Sequence, residues 1–434
     1  MGVRPRRRYF GTDGIRGVVG DDLTPELVER IGRAATLWAQ TAAKSERGSD
    51  PGRVFIGRDT RVSGPVLEEA LARGIVSAGG TAVLAGVLPT PAVALLADGL
   101  GAMVSASHNP PEYNGVKLFA GDGRKLSDDE EEAVEALLDA PAANGGTVER
   151  VDDAGERYLR HVAERFGSDL SGLRIAVDSA NGAFSALAPR VFEQLGAEVH
   201  ALGIDPDGTN INVGCGATDL VALSHKVIEE RCDLGVAFDG DGDRMLAVDE
   251  RGQAIDGDQI LAILALSLGV DVVAVTVMTN LGFHRLMAES GIRVVTTPVG
   301  DRHVVEALRR EGGLLGGEQS GHVVWLGAHV GGDGLAAALL LCRSLAGRTL
   351  SEAAAAMPRY PQAKRNVRVR RRELPQAILD EADRVTEELG DRGRVLVRAS
   401  GTEPMIRVLA EGETEEEAET ICASIAALVV KELG

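Results

Sequence analysis

Ser107-His108-Asn109-Pro110 stands in a polar stretch that leaves an apolar run at 101–104, and Lys117 follows ten residues after the serine. A serine hydroxyl is a poor nucleophile unless a base or a metal assists it, and a serine on a loop at a strand end can face a substrate. Taken alone, the string also reads as an ordinary Ser/Asn/Pro turn. Asp239-Gly-Asp241-Gly-Asp243-Arg244 says more. Carboxylates at i, i+2 and i+4 share one side of an extended segment, and the glycines let the chain curl around an ion. Three carboxylate oxygens suit a hard cation such as Mg²⁺. An EF-hand fits poorly. Glu250 falls at the twelfth loop position, but Arg244 occupies the place that needs glycine, and both flanks are strand-like.

Two further loops carry polar groups at useful spacing. Gly317-Glu318-Gln319-Ser320-Gly321-His322 offers a carboxylate, a hydroxyl and an imidazole. Glu318 and Ser320 are two apart, so an extended loop would aim both at one ligand, and such groups suit sugar hydroxyls. Arg398-Ala-Ser400-Gly401-Thr402-Glu-Pro-Met-Ile-Arg407 combines two guanidinium forks, two hydroxyls and backbone N–H groups around Gly401, which together make a phosphate cradle. The segment 332–337 nominally fits GxGxxA, but no strand clearly ends before it, and it reads as a helix start.

Elements that could position these loops recur three times. Strands are expected near 54–56, 81–84 and 102–104, with helices at 65–78 and 91–97. The order returns at 174–177, 198–202 and 234–238, with helices at 185–195 and 220–230. It returns again at 272–276, 293–297 and 314–316, with helices at 283–290 and 301–311. Each third strand runs into a polar, Gly-rich loop: SASHNP, DGDGDR, then GEQSGH. Loops at the carboxyl ends of parallel strands are where α/β sheets bind ligands, so the three loops could meet at one cleft. The tail differs: strands at 366–371, 395–398 and 405–410 with helices at 375–389 and 415–433 read as α+β. The fold class is therefore α/β, three similar βαβαβ-type domains with mixed or parallel sheets, plus a C-terminal α+β domain, around a central cleft. The expected divisions are 1–148, 149–257, 258–367 and 368–434.

At 434 residues the chain is too long for one core. A net charge of −19 argues against nucleic acid or an anionic membrane as partner. It also means that a site for an anionic substrate must concentrate arginine, lysine and metal locally. No apolar run reaches the roughly 18 residues of a membrane span, and the basic N-terminus lacks the apolar core of a signal peptide. Cys215, Cys232, Cys342 and Cys422 show no zinc spacing, which suits reduced thiols in the cytoplasm.

The string VSASHNPPEYNGVKLF closely resembles the phosphoserine loop of the α-D-phosphohexomutases, enzymes that move a phosphate between positions 1 and 6 of a hexose. The resemblance runs from Phe10 to Gly412 through separate motifs in the family's order, including FGTDGIRG, GRDTR and VGDR. It implies that Ser107 is phosphorylated and also ligates Mg²⁺ with Asp239, Asp241 and Asp243. It implies catalytic parts for Ser107, His108, Lys117, Arg16 and His322. Substrate contacts would come from Glu318 and Ser320 (the 3- and 4-hydroxyls), Arg244, Arg302, and the cradle Arg398, Ser400, Gly401, Thr402 and Arg407. Lys117 would sit beside the transferring group, with His322 or Arg16 handling the sugar hydroxyl's proton. Gln319 and FGTDGIRG are similar to the branch that acts on glucosamine phosphates for amino-sugar nucleotide and cell-wall precursor synthesis. Glucose or mannose phosphates are the alternative substrates, and a non-catalytic sugar-phosphate-binding regulator is the remote one. The implied partners are a phosphosugar and its 1,6-bisphosphate, with room for a homodimer. His303 and Ser179 depart from the family's usual residues, at positions with no expected catalytic role.

Overall fold

The computed structural model describes residues 8–11, 13–42, 50–143, 145–371, 373–400 and 404–434. Its first sheet contains β1 (Ile15–Val18), β2 (Arg53–Arg58), β3 (Thr81–Val87), β4 (Leu100–Val104), β5 (Tyr113–Phe119) and β6 (Thr147–Arg150), in spatial order β1-β5-β4-β2-β3-β6. The second contains β7 (Arg174–Asp178), β8 (Glu198–Leu202), β9 (Leu234–Phe238), β10 (Met245–Asp249) and β11 (Ala254–Ile255), ordered β11-β10-β9-β7-β8. The third contains β12 (Val272–Thr276), β13 (Arg293–Thr297), β14 (Leu315–Gly317) and β15 (Val323–Trp325), ordered β13-β12-β14-β15.

One motif underlies all three. The first strand of the repeat lies between the second and the third, parallel to both, and a fourth strand returns antiparallel beside the third. Parallel neighbours need a crossover, and helices such as Gly64–Ser77 and Leu281–Glu289 supply it. The strands β4, β9 and β12 are buried at every position, which is why they read as unbroken apolar runs. The return strands β5, β10 and β15 turn each polar loop into the connection of an antiparallel pair. That geometry brings both loop ends back to one edge of the sheet.

The last sheet is antiparallel: β16 (Gln362–Arg368), β17 (Arg394–Ala399) and β18 (Met405–Glu411), ordered β16-β18-β17. The helices Gln376–Leu389 and Glu415–Leu433 accompany it, and Arg398 stands directly opposite Arg407 in the β17–β18 register. Residue 148 lies within β6 of the first sheet, and residue 367 within β16 of the last.

The apolar interior is not partitioned as the four sheets are. One buried cluster joins Val93 and Met103 from the first unit, Val177 and Phe238 from the second, and Val275 and Leu315 from the third. The helix Gly334–Leu345 belongs to that cluster and is buried at every position but Arg343, as a helix apolar all round must be. Asp333 caps it, accepting from the N–H groups of Leu335 at 2.9 Å and Ala336 at 3.0 Å, so 332–337 is a helix start. The last unit has its own cluster around Ile378, Ile406 and Val429. Three units thus form one block, and the fourth docks on it.

Candidate active site

Ser107 lies three residues beyond β4, at φ +54°, in the left-handed region that costs a side-chain-bearing residue energy. It is fully buried. Its N–H donates to Ser105 Oγ at 2.9 Å, and its Oγ donates to Asp239 Oδ2 at 2.5 Å, across the boundary between the first two units. His108 Nδ1 is 3.4 Å from the same Oγ. Sequence places this serine on an open polar loop; packing against the second unit closes it over.

The carboxylates of Asp239, Asp241 and Asp243 converge, with ligand oxygens all within 4.8 Å of one another. They are buried, whereas the sequence suggests a surface loop. Burial follows from the neighbours: Thr90 Oγ1 donates to Asp241 Oδ2 at 2.6 Å from the first unit, and Gly334 N–H reaches the Gly242 carbonyl at 3.0 Å from the third. Lys117, on β5, is the counter-charge. Its Nζ is 2.7 Å from Asp241, 2.9 Å from Asp243 and 3.2 Å from Asp13. Burial draws the lysine pKa down, but Asp13, Asp241 and Asp243 outweigh it and hold the group well above its ordinary value. Lys117 is an ammonium here, a charge neutraliser rather than a base.

One lysine does not balance the cluster. Burial and the charges of Asp243 and Asp241 push the Asp239 carboxyl up to about 7. Asp241 Oδ1 is buried with no hydrogen-bond partner among the described residues. Three all-oxygen ligands, one of them unsatisfied, in a site short of positive charge fit a hard divalent cation.

A cleft of about 710 Å³ opens beside this cluster. All four units line it, with Arg16 and His108 from the first, Arg244 from the second, Glu318 and His322 from the third, and Arg398, Ser400 and Arg407 from the last. A backbone bridge between Arg244 and His322 joins the acidic loop to the Glu318 loop. His322 spans them too, with Nδ1 3.0 Å from Glu318 and Nε2 3.0 Å from Asp243. Burial lowers its pKa, but Asp243 more than compensates and raises it to about 10. Burial together with Arg244 and Arg16 takes His108 the other way, down to about 4. With no cation on the acidic cluster, His108 therefore stays neutral and resists protonation near neutral pH, whereas Asp243 holds His322 protonated.

At the far wall, burial and then the charge of Arg407 depress the pKa of Arg398. An Arg407 guanidinium close enough to disfavour the charge of Arg398, with Arg398 Nε buried and unpartnered among the described residues, leaves a place for an anion. Gly401 and Thr402 lie outside the described residues, as does Thr12 of the opening motif.

Two expected residues are placed differently. Ser320 is exposed and is not among the residues lining the cleft. The loop is a tight turn, with Gly321 N–H bonded to the Glu318 carbonyl at 3.0 Å and Gly321 at φ +95°, so alternate residues do not share a face. Arg302 turns toward the first unit, donating to the Leu126 carbonyl at 3.2 Å and to Asp128. Conversely, sequence reasoning passed over Asp13 and Lys125. Asp13 pairs with Arg16, Lys117 and Lys125, the last at 2.5 Å, and Lys125 also reaches Asp301 at 2.8 Å. Asp13 stands within FGTDGIRG, which could have flagged it; Lys125 carries no such signal.

Family models for all four domains of the phosphoglucomutase/phosphomannomutase family match the chain: α/β/α domains I, II and III at residues 7–144, 156–252 and 256–360, and the C-terminal domain at 365–428. The phosphoglucosamine mutase of Moorella thermoacetica is 47% identical over 96% of this chain and 98% of its own length. That of Bacillus subtilis is 43% identical over 98% and 99%. A crystal structure of a phosphoglucomutase/phosphomannomutase family protein from Burkholderia thailandensis superposes with a TM-score of 0.83 at 27% identity, covering 98% of both chains. Four domain matches in order, full-length relatives and a cleft lined by all four units agree: the chain belongs to the phosphoglucomutase/phosphomannomutase family, within the α-D-phosphohexomutases.

Proposed function

We propose that the protein interconverts glucosamine 6-phosphate and glucosamine 1-phosphate, with Ser107 as the phosphate carrier. The observation that carries this reading is the placement of Ser107 Oγ at 2.5 Å from Asp239, inside a convergent acidic cluster beside a cleft whose far wall holds paired arginines. Relatives at 43–47% identity that act on this amino sugar support the choice of substrate.

The phosphoryl group on Ser107 passes to the free hydroxyl of the bound sugar phosphate. The serine P–O bond breaks, a sugar P–O bond forms, and the hydroxyl proton leaves to a group lining the cleft, for which His322, with Asp243 offset by a bound cation, or Arg16 is the candidate. Lys117, Arg244 and Arg16 face the transferring group and offset its charge. Arg398 and Arg407 hold the phosphate that is not reacting. The resulting 1,6-bisphosphate turns over within the cleft and returns its other phosphoryl group to Ser107. About 710 Å³ is within the roughly 300–1,000 Å³ of small-molecule sites and gives room for that turn. Mg²⁺, held by Asp239, Asp241, Asp243 and an oxygen on Ser107, would bring positive charge to the phosphoryl oxygens. The residues' share is positioning and charge neutralisation, the main burden in phosphoryl transfer. A cytoplasmic setting suits the four buried free cysteines.

Glu318 faces the cleft and is the third unit's candidate for the sugar hydroxyls. Glucose, mannose and glucosamine share the 3- and 4-hydroxyls, so Glu318→Ala should impair all three phosphates and leave their ranking intact. Purified protein given equal concentrations of the three 6-phosphates should turn over the amino sugar with the highest kcat/KM. A preference for glucose or mannose phosphate would refute the substrate while leaving the carrier chemistry standing.

The arginine pair gives a graded test. A charge-assisted hydrogen bond is worth about 1.5–3 kcal/mol, so Arg398→Ala or Arg407→Ala should each lower kcat/KM roughly 10- to 150-fold. The cradle grips the sugar phosphate in both orientations, so forward and reverse rates should fall alike. Unchanged saturation by the sugar phosphate in Arg407→Ala would remove the cradle from the account.

A further inference from the structure

The loop that presents Ser107 is wrapped around a single buried guanidinium. Arg61 is fully buried, and all five of its side-chain N–H groups are engaged. Nε donates to Asp59 Oδ2 at 2.9 Å. Nη1 donates to the carbonyl oxygens of Tyr113, at 2.9 Å, and Pro110. Nη2 donates to those of Ser107 at 2.9 Å and Asn109 at 2.8 Å. Asp59, itself buried, takes a further bond from Ser105 Oγ at 2.6 Å, and that oxygen accepts the Ser107 N–H. Four carbonyls of one loop therefore point inward at one side chain, which leaves the Ser107 side chain facing Asp239. From the second unit, Asn212 Nδ2 donates at 2.9 Å to the Ser107 carbonyl that Arg61 also holds.

We infer that Arg61 is a positioning residue for phosphoryl transfer. It locks the 105–113 loop so that Ser107 stays in its left-handed conformation with Oγ against the acidic cluster. This rests on the reading of Ser107 as the phosphate carrier. Left to itself, a non-glycine residue at φ +54° relaxes toward commoner backbone angles, and Oγ swings off line. The lock demands the planar five-donor fork of arginine. A lysine ammonium, with three donors on one atom, keeps the charge opposite Asp59 but cannot reach four diverging carbonyls. Arg61 touches neither the cleft nor the transferred group, so its loss acts on the chemical step and leaves sugar-phosphate binding alone.

The test uses full-length wild type, Arg61→Lys and Asn212→Ala, each assayed with glucosamine 6-phosphate for kcat and KM. Phosphoryl on Ser107 is followed by intact mass and peptide mapping, and folding by thermal melting. Misplacing a reacting group by about 1 Å costs roughly 100-fold, so Arg61→Lys is expected to lose about that in kcat with KM within about twofold. Asn212→Ala, which leaves the Arg61 fork intact, is expected to lose roughly tenfold in kcat, again with KM held. A folded Arg61→Lys with wild-type kcat overturns the inference, and so does a melting-point drop with kcat per folded molecule unchanged. If Arg61→Lys does not fold, Asp59→Asn, which keeps Arg61 but loosens the fork at its Nε anchor, decides by the same criterion. Wild type that turns over substrate but never carries phosphoryl on Ser107 would instead overturn the carrier reading, and this inference with it.

Discussion

Ser107→Ala is expected to abolish mutase activity, lowering kcat by several orders of magnitude while the protein stays folded. The substitution deletes the oxygen that lies 2.5 Å from Asp239 and, on the proposed mechanism, the only covalent acceptor of phosphate. A fall of more than about 1,000-fold corresponds to a loss of more than about 4 kcal/mol of barrier lowering. The fold should survive because the contacts that hold the loop are made by the Ser107 backbone, through Arg61, Asn212 and Ser105. Sugar-phosphate binding should persist as well, since Glu318, Arg398 and Arg407 line the cleft independently of the serine. The check is turnover alongside equilibrium binding of glucosamine 6-phosphate. Near-wild-type turnover by the alanine variant would rule out Ser107 as the carrier.

Removing the divalent cation should have an effect of similar size. Chelation is expected to bring activity to background, and added Mg²⁺ to restore it, with no cooperative unfolding in between. Stability without metal follows from the ion pairs: Lys117 lies within 2.9 Å of both Asp241 and Asp243, so two of the three carboxylates keep a partner. Asp241→Asn should lower activity by more than about 100-fold, since even groups that only orient metal ligands commonly cost about 10- to 100-fold when lost. Elemental analysis should show less bound metal in that variant. Full activity in excess chelator, on protein shown to be metal-free, would exclude the cation from the mechanism.

The residues legible in the sequence were those whose chemistry is carried by local spacing. Alternating Asp and Gly announces three converging carboxylates, and Arg398 and Arg407 flank a hairpin that brings them opposite each other in register. The parallel strands were legible because burial on both faces makes them continuous apolar runs. The return strand β5 was not, because Tyr113–Phe119 mixes Asn, Gly and Lys with apolar residues and resembles a loop. Lys117 consequently read as part of a polar segment, although the strand buries it against the cluster. Burial of Asp239, Asp241 and Asp243 was also hidden, since Thr90 and Gly334, which cover them, lie far away in the chain. Ser320 sits away from the cleft for a local reason: alternation in sequence means a shared face only in extended backbone, and the Glu318–Gly321 hydrogen bond makes a turn. The shared core of the first three units is likewise a tertiary fact. The apolar helix Gly334–Leu345 carries no mark of which sheets it will cement together.

The central claim is that phosphate passes through Ser107 on every turnover, and a single-turnover mass measurement tests it directly. Protein carrying an isotope-labelled phosphoryl group on Ser107 is mixed with excess unlabelled glucosamine 6-phosphate, quenched at intervals, and examined by intact mass, peptide mapping and product analysis. The mechanism predicts that the labelled phosphoryl group leaves Ser107 at least as fast as steady-state turnover and appears in the bisphosphate and in glucosamine 1-phosphate. Formation of glucosamine 1-phosphate while the original phosphoryl group stays on Ser107 would contradict it.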